Sequence, residues 1–114
     1  MICSADVLAF LEEFRDLTGK EFILTAVAVL PFCGLNGAPF TNITGFAKVL
    51  NWVAIMNYDV WRPWSQAVGP NSPLSDTCVV AANRMGSAES FVNAWEAAGM
   101  SRHKTVLGVA SYGQ

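Results

Sequence analysis

The segment Trp52-Val53-Ala54-Ile55-Met56-Asn57-Tyr58-Asp59 joins an apolar strand directly to a tyrosine and a carboxylate. Apolar strands more often run into Gly, Asn or Pro, because turns accommodate those residues best. Here the strand instead carries Tyr58 and Asp59 at its carboxyl end. Open α/β sheets and α/β barrels keep their ligand sites at that end of their strands. We therefore predict that Tyr58 and Asp59 belong to a functional site.

On both sides of this strand the chain alternates helices and strands. Apolar residues at helical spacing predict helices, and continuous apolar runs predict strands with both faces buried, as in parallel sheets covered by helices. The predicted helices are residues 6–18, 43–51 and 87–98, and the predicted strands are residues 21–30, 52–58 and 105–112. This order predicts parallel pairing with right-handed crossovers. Three strands do not close an eight-stranded barrel, so a segment of an α/β barrel or sheet is expected.

The composition is apolar for a chain of this length. The 114 residues are 53% hydrophobic and 14% charged, whereas an ordinary globular domain is about 25% charged. Because a small free-standing domain has much surface to cover, this composition is typical of the interior-rich portion of a larger domain. The net charge is −2 and the seven basic residues form no cluster, which argues against a nucleic-acid or anionic-membrane surface. No apolar run reaches the roughly 18–20 residues of a membrane span, and no signal-peptide pattern is present.

Cysteine, histidine and asparagine leave some alternatives open. Cys3, Cys33 and Cys78 are an odd number without a CxxC pair. No zinc site is predicted, and either one disulfide or three free thiols is compatible with this pattern. The single histidine, His103, lies in a predicted loop, which favours a surface residue over a catalytic base. Asn42-Ile43-Thr44 matches the glycosylation sequon, which matters only if the parent protein is secreted.

Several segments together resemble the catalytic domain of glycoside hydrolase family 18 chitinases, and most of all its fungal subgroup. The resemblance to the sixth-strand region is carried by Met56-Asn57-Tyr58-Asp59, Trp61, Pro63-Trp64-Ser65, Gly69-Pro70-Asn71-Ser72-Pro73-Leu74 and Asp76-Thr77-Cys78. Residues 107–113 resemble the seventh strand, and residues 10–15 and 22–32 resemble the fourth helix and fifth strand. The resemblance implies an α/β fold, a partial (β/α)8 TIM barrel with about strands five to seven and their helices. Residues 1–114 are accordingly expected to be a fragment of a family 18 catalytic domain.

The resemblance also implies a reaction and a set of site residues. Family 18 enzymes hydrolyse β-1,4 links between N-acetylglucosamine units with retention, and the substrate's acetamido group replaces an enzyme nucleophile. By resemblance, Tyr58 donates a hydrogen bond to the acetamido oxygen, and Asp59 helps to orient that group. The residues expected to contact substrate are Met56, Trp61, Trp64 and Tyr112. No metal and no organic cofactor are expected. The expected partners are chitin or N-acetylglucosamine oligosaccharides, without nucleic acid or membrane, and the expected location is extracellular.

The catalytic acid of the family is missing from this sequence. An Asp-x-x-Asp-x-Asp-x-Glu motif supplies it in the family, and the chain contains no such motif. The five glutamates lie on predicted helices or at a strand entry, so none is expected to replace it: Glu12, Glu13, Glu21, Glu89 and Glu96. We therefore predict that this polypeptide alone does not hydrolyse chitin, whereas its intact parent is a chitinase. Two alternatives remain open, a non-catalytic chitin-binding, lectin-like protein and a non-functional truncated product.

The aromatic residues allow two interpretations. Tryptophan stacks on sugar faces and is also a common core residue, and both interpretations stay open for Trp61 and Trp64. Trp52, at the start of a strand, and Trp95, on the apolar face of a helix, are predicted to be core residues. Asn57 alternates with its neighbours in the strand and is predicted to face the helix layer as a structural residue.

One position departs from the family pattern. Arg62 stands where the family usually has glycine, three residues after Asp59. A non-glycine residue at positive φ costs about 1–2 kcal/mol. If the turn requires positive φ at this position, strain at Arg62 and a narrower cleft are expected; alternatively, the loop tolerates the arginine.

Overall fold

The computed structural model describes residues 4–33 and 37–113. Within these ranges three strands form one parallel sheet in the order β1-β2-β3, with Thr25 opposite Trp52 and Val53 opposite Thr105. The elements in chain order are α1 (Ser4–Thr18), β1 (Thr25–Ala28), α2 (Thr44–Val49), β2 (Trp52–Met56), α3 (Ala88–Ala97) and β3 (Thr105–Gly108), with 3-10 turns at Ala81–Asn83 and Arg102–Lys104. The predicted helix and strand alternation and the parallel pairing are confirmed.

The strands are shorter than the apolar runs that predicted them. β1 has four residues where 21–30 was predicted, and β3 has four where 105–112 was predicted. Both strands hydrogen-bond to β2, which has only five residues. The hydrogen bonds between two strands end where either strand ends, so the short central strand limits the length of both neighbours. Apolar composition carries no information about this limit.

The core lies between the central strand and the helices. Val53 and Ile55 of β2 are fully buried, and they belong to one cluster with Phe46 of α2 and with Phe91 and Trp95 of α3. The Trp95 ring meets the Phe32 ring edge-on at 5.3 Å between centroids, and its indole N–H donates to the Val29 carbonyl at 3.2 Å. The prediction that Trp95 is a core residue is confirmed.

Two predictions of burial are wrong. Trp52 was expected in the core, but it begins β2 on the face opposite Val53 and remains 36% exposed. Both faces of each strand were expected to be buried, but Val27 is 59% exposed and Val106 is 49% exposed. The reason is that the buried cluster covers only one face of the sheet in the described part of the chain.

Helix α3 begins and ends where the sequence predicts. Ser87 is the N-cap: its hydroxyl accepts from the Ser90 N–H at 3.2 Å, and the Ser90 hydroxyl accepts from the Ser87 N–H at 2.7 Å. This reciprocal pair satisfies donors that a helix start leaves without partners. Gly99 follows the helix with φ +108, a conformation that favours glycine. None of the helices in residues 4–33 and 37–113 is long and apolar enough to cross a membrane.

The thiols are placed only in part. Cys78 is exposed and carries a free thiol, so it belongs to no disulfide. Cys33 is half-buried after β1, and Cys3 lies outside the described residues. Asn42 of the sequon is exposed, and its side-chain oxygen accepts from the Thr44 N–H at 3.0 Å.

Candidate functional site

Two strand ends meet at the carboxyl edge of the sheet. Met56 of β2 is in register with Gly108 of β3, and the chain continues from these residues to Tyr58 and Tyr112. A Cβ on Gly108 would come within 2.9 Å of the Ile55 carbonyl oxygen and 3.0 Å of the Tyr58 ring, so glycine permits this close approach. The Tyr58 and Tyr112 rings meet edge-on with centroids 6.4 Å apart.

Asp59 is held in an uncommon backbone conformation. Its φ is +55, in the left-handed region that Asp and Asn adopt more readily than other non-glycine residues. The Asp59 N–H donates to the Asn71 side-chain oxygen at 2.9 Å, and the Asp59 carbonyl accepts from Arg62 Nε at 2.7 Å. The Tyr112 hydroxyl donates to Asp59 Oδ1 at 2.6 Å. These contacts fix both the backbone and the carboxylate of Asp59.

The hydrogen bond to Asp59 raises the pKa of the Tyr112 phenol above its ordinary value. Partial desolvation adds to the effect, and the negative charge of Asp59 acts in the same direction. Each of these causes favours the neutral phenol, which donates to the carboxylate, over a phenolate that would repel it. Tyr112 therefore keeps its proton and its bond to Asp59 at neutral pH.

We expect Asp59→Asn to lower the pKa of Tyr112 towards the ordinary tyrosine value. The stability that this bond supplies is complete below the unfolded-state pKa of about 10, and it is lost as the pH rises through the higher folded-state pKa. The chain has two tyrosines, so tyrosinate absorbance against pH in a Tyr112→Phe variant identifies the Tyr112 titration. Asp16→Asn on α1 is the control and should leave it unchanged. The same Tyr112 pKa in Asp59→Asn and in the parent chain would contradict this assignment.

Asn71 joins the two strand ends, a role that the sequence did not predict. Besides accepting from the Asp59 N–H, its side-chain amide donates to the Tyr112 carbonyl at 3.2 Å. Its own carbonyl accepts from the Val60 N–H at 3.2 Å. Residues 57–87, the β2–α3 connection, thus reach back to both strands through one asparagine. The only signal for it in the sequence is its place in the segment Gly69-Pro70-Asn71-Ser72-Pro73-Leu74, which carries part of the family resemblance.

Asn57 has a structural environment. It is 3% exposed. Like Val53 and Ile55, it lies on the face of the strand that packs against the helices, as predicted. Its amide donates to the Ser72 hydroxyl at 3.0 Å, and that hydroxyl donates to the Asn57 carbonyl. The pair attaches the connection to the strand just below Tyr58.

A cleft of about 740 Å³ opens beside Tyr58 and Asp59. Trp61, Arg62 and Trp64 form part of its wall. The Trp61 ring lies directly against the backbone of Gly69, where a Cβ would come within 2.3 Å of the ring. Glycine therefore gives Trp61 a half-buried, supported position. Trp64 is 75% exposed at the rim.

Four of the six predicted site residues line the cleft. Tyr58, Asp59, Trp61 and Trp64 line the cleft. Tyr112, which is 51% exposed, does not line it but hydrogen-bonds to Asp59. Met56 ends β2 half-buried and does not line the cleft. The roles given to all six residues stay predictions. His103 is exposed in a 3-10 turn away from the cleft.

Of the two alternatives for Arg62, the structure shows a loop that tolerates the arginine. Positive φ is taken by Asp59, and Arg62 does not share it. Arg62 supports the turn, because its side-chain Nε donates to the Asp59 carbonyl at 2.7 Å and its backbone N–H donates to the Ser65 hydroxyl at 3.0 Å. Its guanidinium lies over the Trp64 ring, with Cζ 5.4 Å from the centroid, a cation–π arrangement. Arg62 is tolerated without backbone strain because the turn places its left-handed residue three positions earlier, at Asp59.

Asp59 carries the carboxylate of this cleft. Among the described residues that line it, no glutamate and no second aspartate is present. Within the ranges that the structure describes, no group of three or more His, Cys, Asp or Glu side chains is arranged to hold a metal ion. The site therefore offers a tyrosine hydroxyl, one positioned carboxylate, aromatic walls and one cation, which suits a polar ligand with apolar faces.

Similarity to known proteins identifies the family. The family model of glycosyl hydrolases family 18 matches residues 5–114. The chain belongs to glycosyl hydrolase family 18. A chitinase-like effector of Moniliophthora roreri is 54% identical over 106 residues, which are 93% of this chain and 26% of that protein. A chitinase-like effector of Moniliophthora perniciosa is 45% identical over 112 residues, again 26% of its length. The chain thus spans about a quarter of these curated relatives.

Solved structures give the same assignment. A chitinase from Rhizomucor miehei superposes on 93% of this chain with a TM-score of 0.84 and 33% identity, and the match covers 29% of that chitinase. A family 18 chitinase from Cycas revoluta, solved in complex with (GlcNAc)3, superposes on 92% of this chain with a TM-score of 0.62 and 26% identity, covering 30% of its own length. The predicted family and the partial α/β barrel are confirmed.

Proposed function

We propose that this chain is the acetamido-binding part of a chitinase-type domain and that its cleft binds N-acetylglucosamine oligosaccharides. The observation that carries the proposal is the arrangement of Tyr58, Asp59 and Tyr112, in which Tyr58 and Asp59 line one cleft and Tyr112 bonds to the Asp59 carboxylate. The complex of the Cycas revoluta chitinase with (GlcNAc)3 supports this ligand class, since that protein is a structural relative. Polymeric chitin occurs outside cells, so an extracellular location is part of the proposal.

Each group has a role that its geometry allows. The Tyr58 hydroxyl donates to the acetamido carbonyl oxygen, and the Asp59 carboxylate accepts from the acetamido N–H. The Tyr112 hydroxyl donates to Asp59 Oδ1 and so helps to hold the carboxylate in place for this contact. Trp61 offers an apolar ring, supported from behind by Gly69, on which the face of a pyranose stacks. Binding by these groups turns the acetamido group and fixes it.

In the intact parent, this orientation supports hydrolysis with retention. The acetamido oxygen attacks the anomeric carbon while an acid protonates the leaving oxygen. Positive charge develops on the acetamido group, and the Asp59 carboxylate offsets that charge. The acid is not among the residues that line the cleft. The proposal for the 114-residue chain is therefore binding without hydrolysis.

A non-catalytic chitin-binding protein is the second candidate function. It is favoured by the two relatives named chitinase-like effectors. The two candidates share the binding step and differ in whether the complete protein supplies an acid. A glutamate or glutamine at the acid position of the full-length protein would distinguish them.

Calorimetric titration of the chain with tetra-N-acetylchitotetraose tests the binding step. We expect saturable binding that Tyr58→Phe weakens about 3- to 10-fold, as expected for one net hydrogen bond of about 0.5–1.5 kcal/mol. Asp59→Asn should weaken it roughly 10- to 100-fold, because hydrogen bonds to a charged group contribute about 1.5–3 kcal/mol. Asp16→Asn on α1 is the matched control and should bind like the parent chain. No reducing ends should be released from colloidal chitin. Absence of binding by the unsubstituted 114-residue chain would overturn the proposal.

A further inference from the structure

Arg62 presents a cation to the cleft in a restrained conformation. Its Nε donates to the Asp59 carbonyl and its guanidinium covers one face of the Trp64 ring. Its backbone N–H donates to the Ser65 hydroxyl, which holds the turn below the side chain. The terminal Nη groups make no hydrogen bond to any described residue, which leaves their N–H donors for a ligand. Because a guanidinium held by a hydrogen bond and an aromatic ring loses little further freedom on binding, it acts as a preformed donor group.

The cleft has one negative and one positive side chain, and they lie at different positions along it. Among its described lining residues Asp59 and Arg62 are the two charged side chains, and the remaining lining residues are apolar or neutral polar. The carboxylate lies beside Tyr58 at the sheet edge, while the guanidinium lies over Trp64 at the rim. A sugar held by Tyr58 and Asp59 therefore has its neighbour on the Trp64 side close to a positive charge.

We propose that Arg62 determines specificity by making the cleft select an acetylated over a deacetylated glucosamine at the position next to the sugar held by Tyr58 and Asp59. This inference rests on the proposed binding of N-acetylglucosamine oligosaccharides. An acetamido group is neutral and its carbonyl oxygen accepts from the Arg62 Nη donors. A deacetylated sugar carries a protonated amine, which has no acceptor and has the same charge as the guanidinium. The cation thus favours one substrate and penalises the other.

The test uses tetrasaccharides that differ by one acetyl group. Tetra-N-acetylchitotetraose and each of its mono-deacetylated isomers are titrated into the chain by calorimetry at a pH where the free amine is protonated. We expect one isomer to lose affinity in an Arg62-dependent way, by roughly 3- to 10-fold for like charges partly screened by water. This loss should shrink when salt is raised, because salt screens exposed charges.

Two variants separate charge from other effects of the side chain. Arg62→Gln removes the charge and should abolish the loss of affinity for that isomer. Arg62→Lys keeps the charge and should retain it. Arg84→Gln is the matched control, because Arg84 is also an exposed arginine of the β2–α3 connection whose Nε donates to a backbone carbonyl, that of Val79 at 3.2 Å, but it does not line the cleft. Thermal melting followed by circular dichroism confirms that each variant is folded.

The outcomes distinguish this inference from the proposed function. If Arg62→Gln discriminates against the same isomer as strongly as the parent chain, Arg62 is not the specificity residue, while the binding function stands. If the parent chain binds no fully acetylated tetrasaccharide, the proposed function fails and this inference fails with it.

Discussion

Replacing Trp95 by alanine is expected to lower the free energy of unfolding by about 3–5 kcal/mol, the range measured for large aromatic residues removed from cores. Trp95 is the largest of the fully buried side chains and is 0% exposed. Its removal leaves a cavity beside Phe32 and takes away the donor that satisfies the Val29 carbonyl. Since small domains are stable by only about 5–15 kcal/mol, a loss of this size removes a large part of the total.

Urea unfolding followed by far-ultraviolet circular dichroism measures this effect. Trp95→Phe should lose less, because it keeps an aromatic ring in the core and gives up mainly the hydrogen bond to Val29. Trp64→Ala is the matched control: it also removes a tryptophan, but from a site that is 75% exposed, and should change stability by less than about 0.5 kcal/mol. Equal losses for Trp95→Ala and Trp64→Ala would show that the core is not where the structure places it.

Gly86→Ala is expected to destabilise the chain by roughly 2–5 kcal/mol, the sum of backbone strain at positive φ and overpacking. Gly86 has φ +108, and a Cβ there would come within 2.3 Å of the Phe91 ring. Phe91 is 5% exposed and belongs to the core cluster, so its ring cannot withdraw without disturbing neighbouring residues. Because Phe91 also lines the cleft, oligosaccharide affinity should fall as well.

The Gly19→Ala variant separates backbone strain from overpacking. Gly19 also has positive φ, at +64, but a Cβ there would meet nothing within 4 Å. Its substitution should therefore cost only the strain of about 1–2 kcal/mol, and the difference between the two variants measures the contact with Phe91. The same urea unfolding experiment gives both values. Equal costs at the two glycines would mean that the Phe91 ring does not pack against Gly86.

The β2–α3 connection matters to the site because its middle, residues 71–74, bonds to both the strand end and the helix start. Asn71 and Ser72 bond to the strand end, and the carbonyls of Pro73 and Leu74 accept from the first N–H groups of α3, those of Ala88 and Glu89, at 2.9 and 3.1 Å. These bonds satisfy helix donors that have no partner within the helix. The connection also supplies most of the cleft wall.

Local patterns in the sequence were sufficient to predict the helices and strands and their order. Helical spacing and cap residues depend on neighbours within one turn, so the limits of α3 at Ser87 and Gly99 could be predicted. The position of Tyr58 and Asp59 at a strand end followed from their place after an apolar run, and the family followed from segments spread over nearly the whole chain. Trp95 could be assigned to the core because it shares the apolar face of its helix with Phe91.

Contacts between distant residues depended on the tertiary structure. The bond between Tyr112 and Asp59 spans 53 residues, and it forms because parallel register brings two strand ends together, which no local pattern contains. Strand length followed the five-residue partner β2 and not the apolar runs, and Trp52 is exposed because helices cover one face of the sheet. The left-handed residue of the turn is Asp59, with Arg62 as its support, because the hydrogen bonds from Asn71 and Arg62 stabilise that conformation only once the connection has folded back.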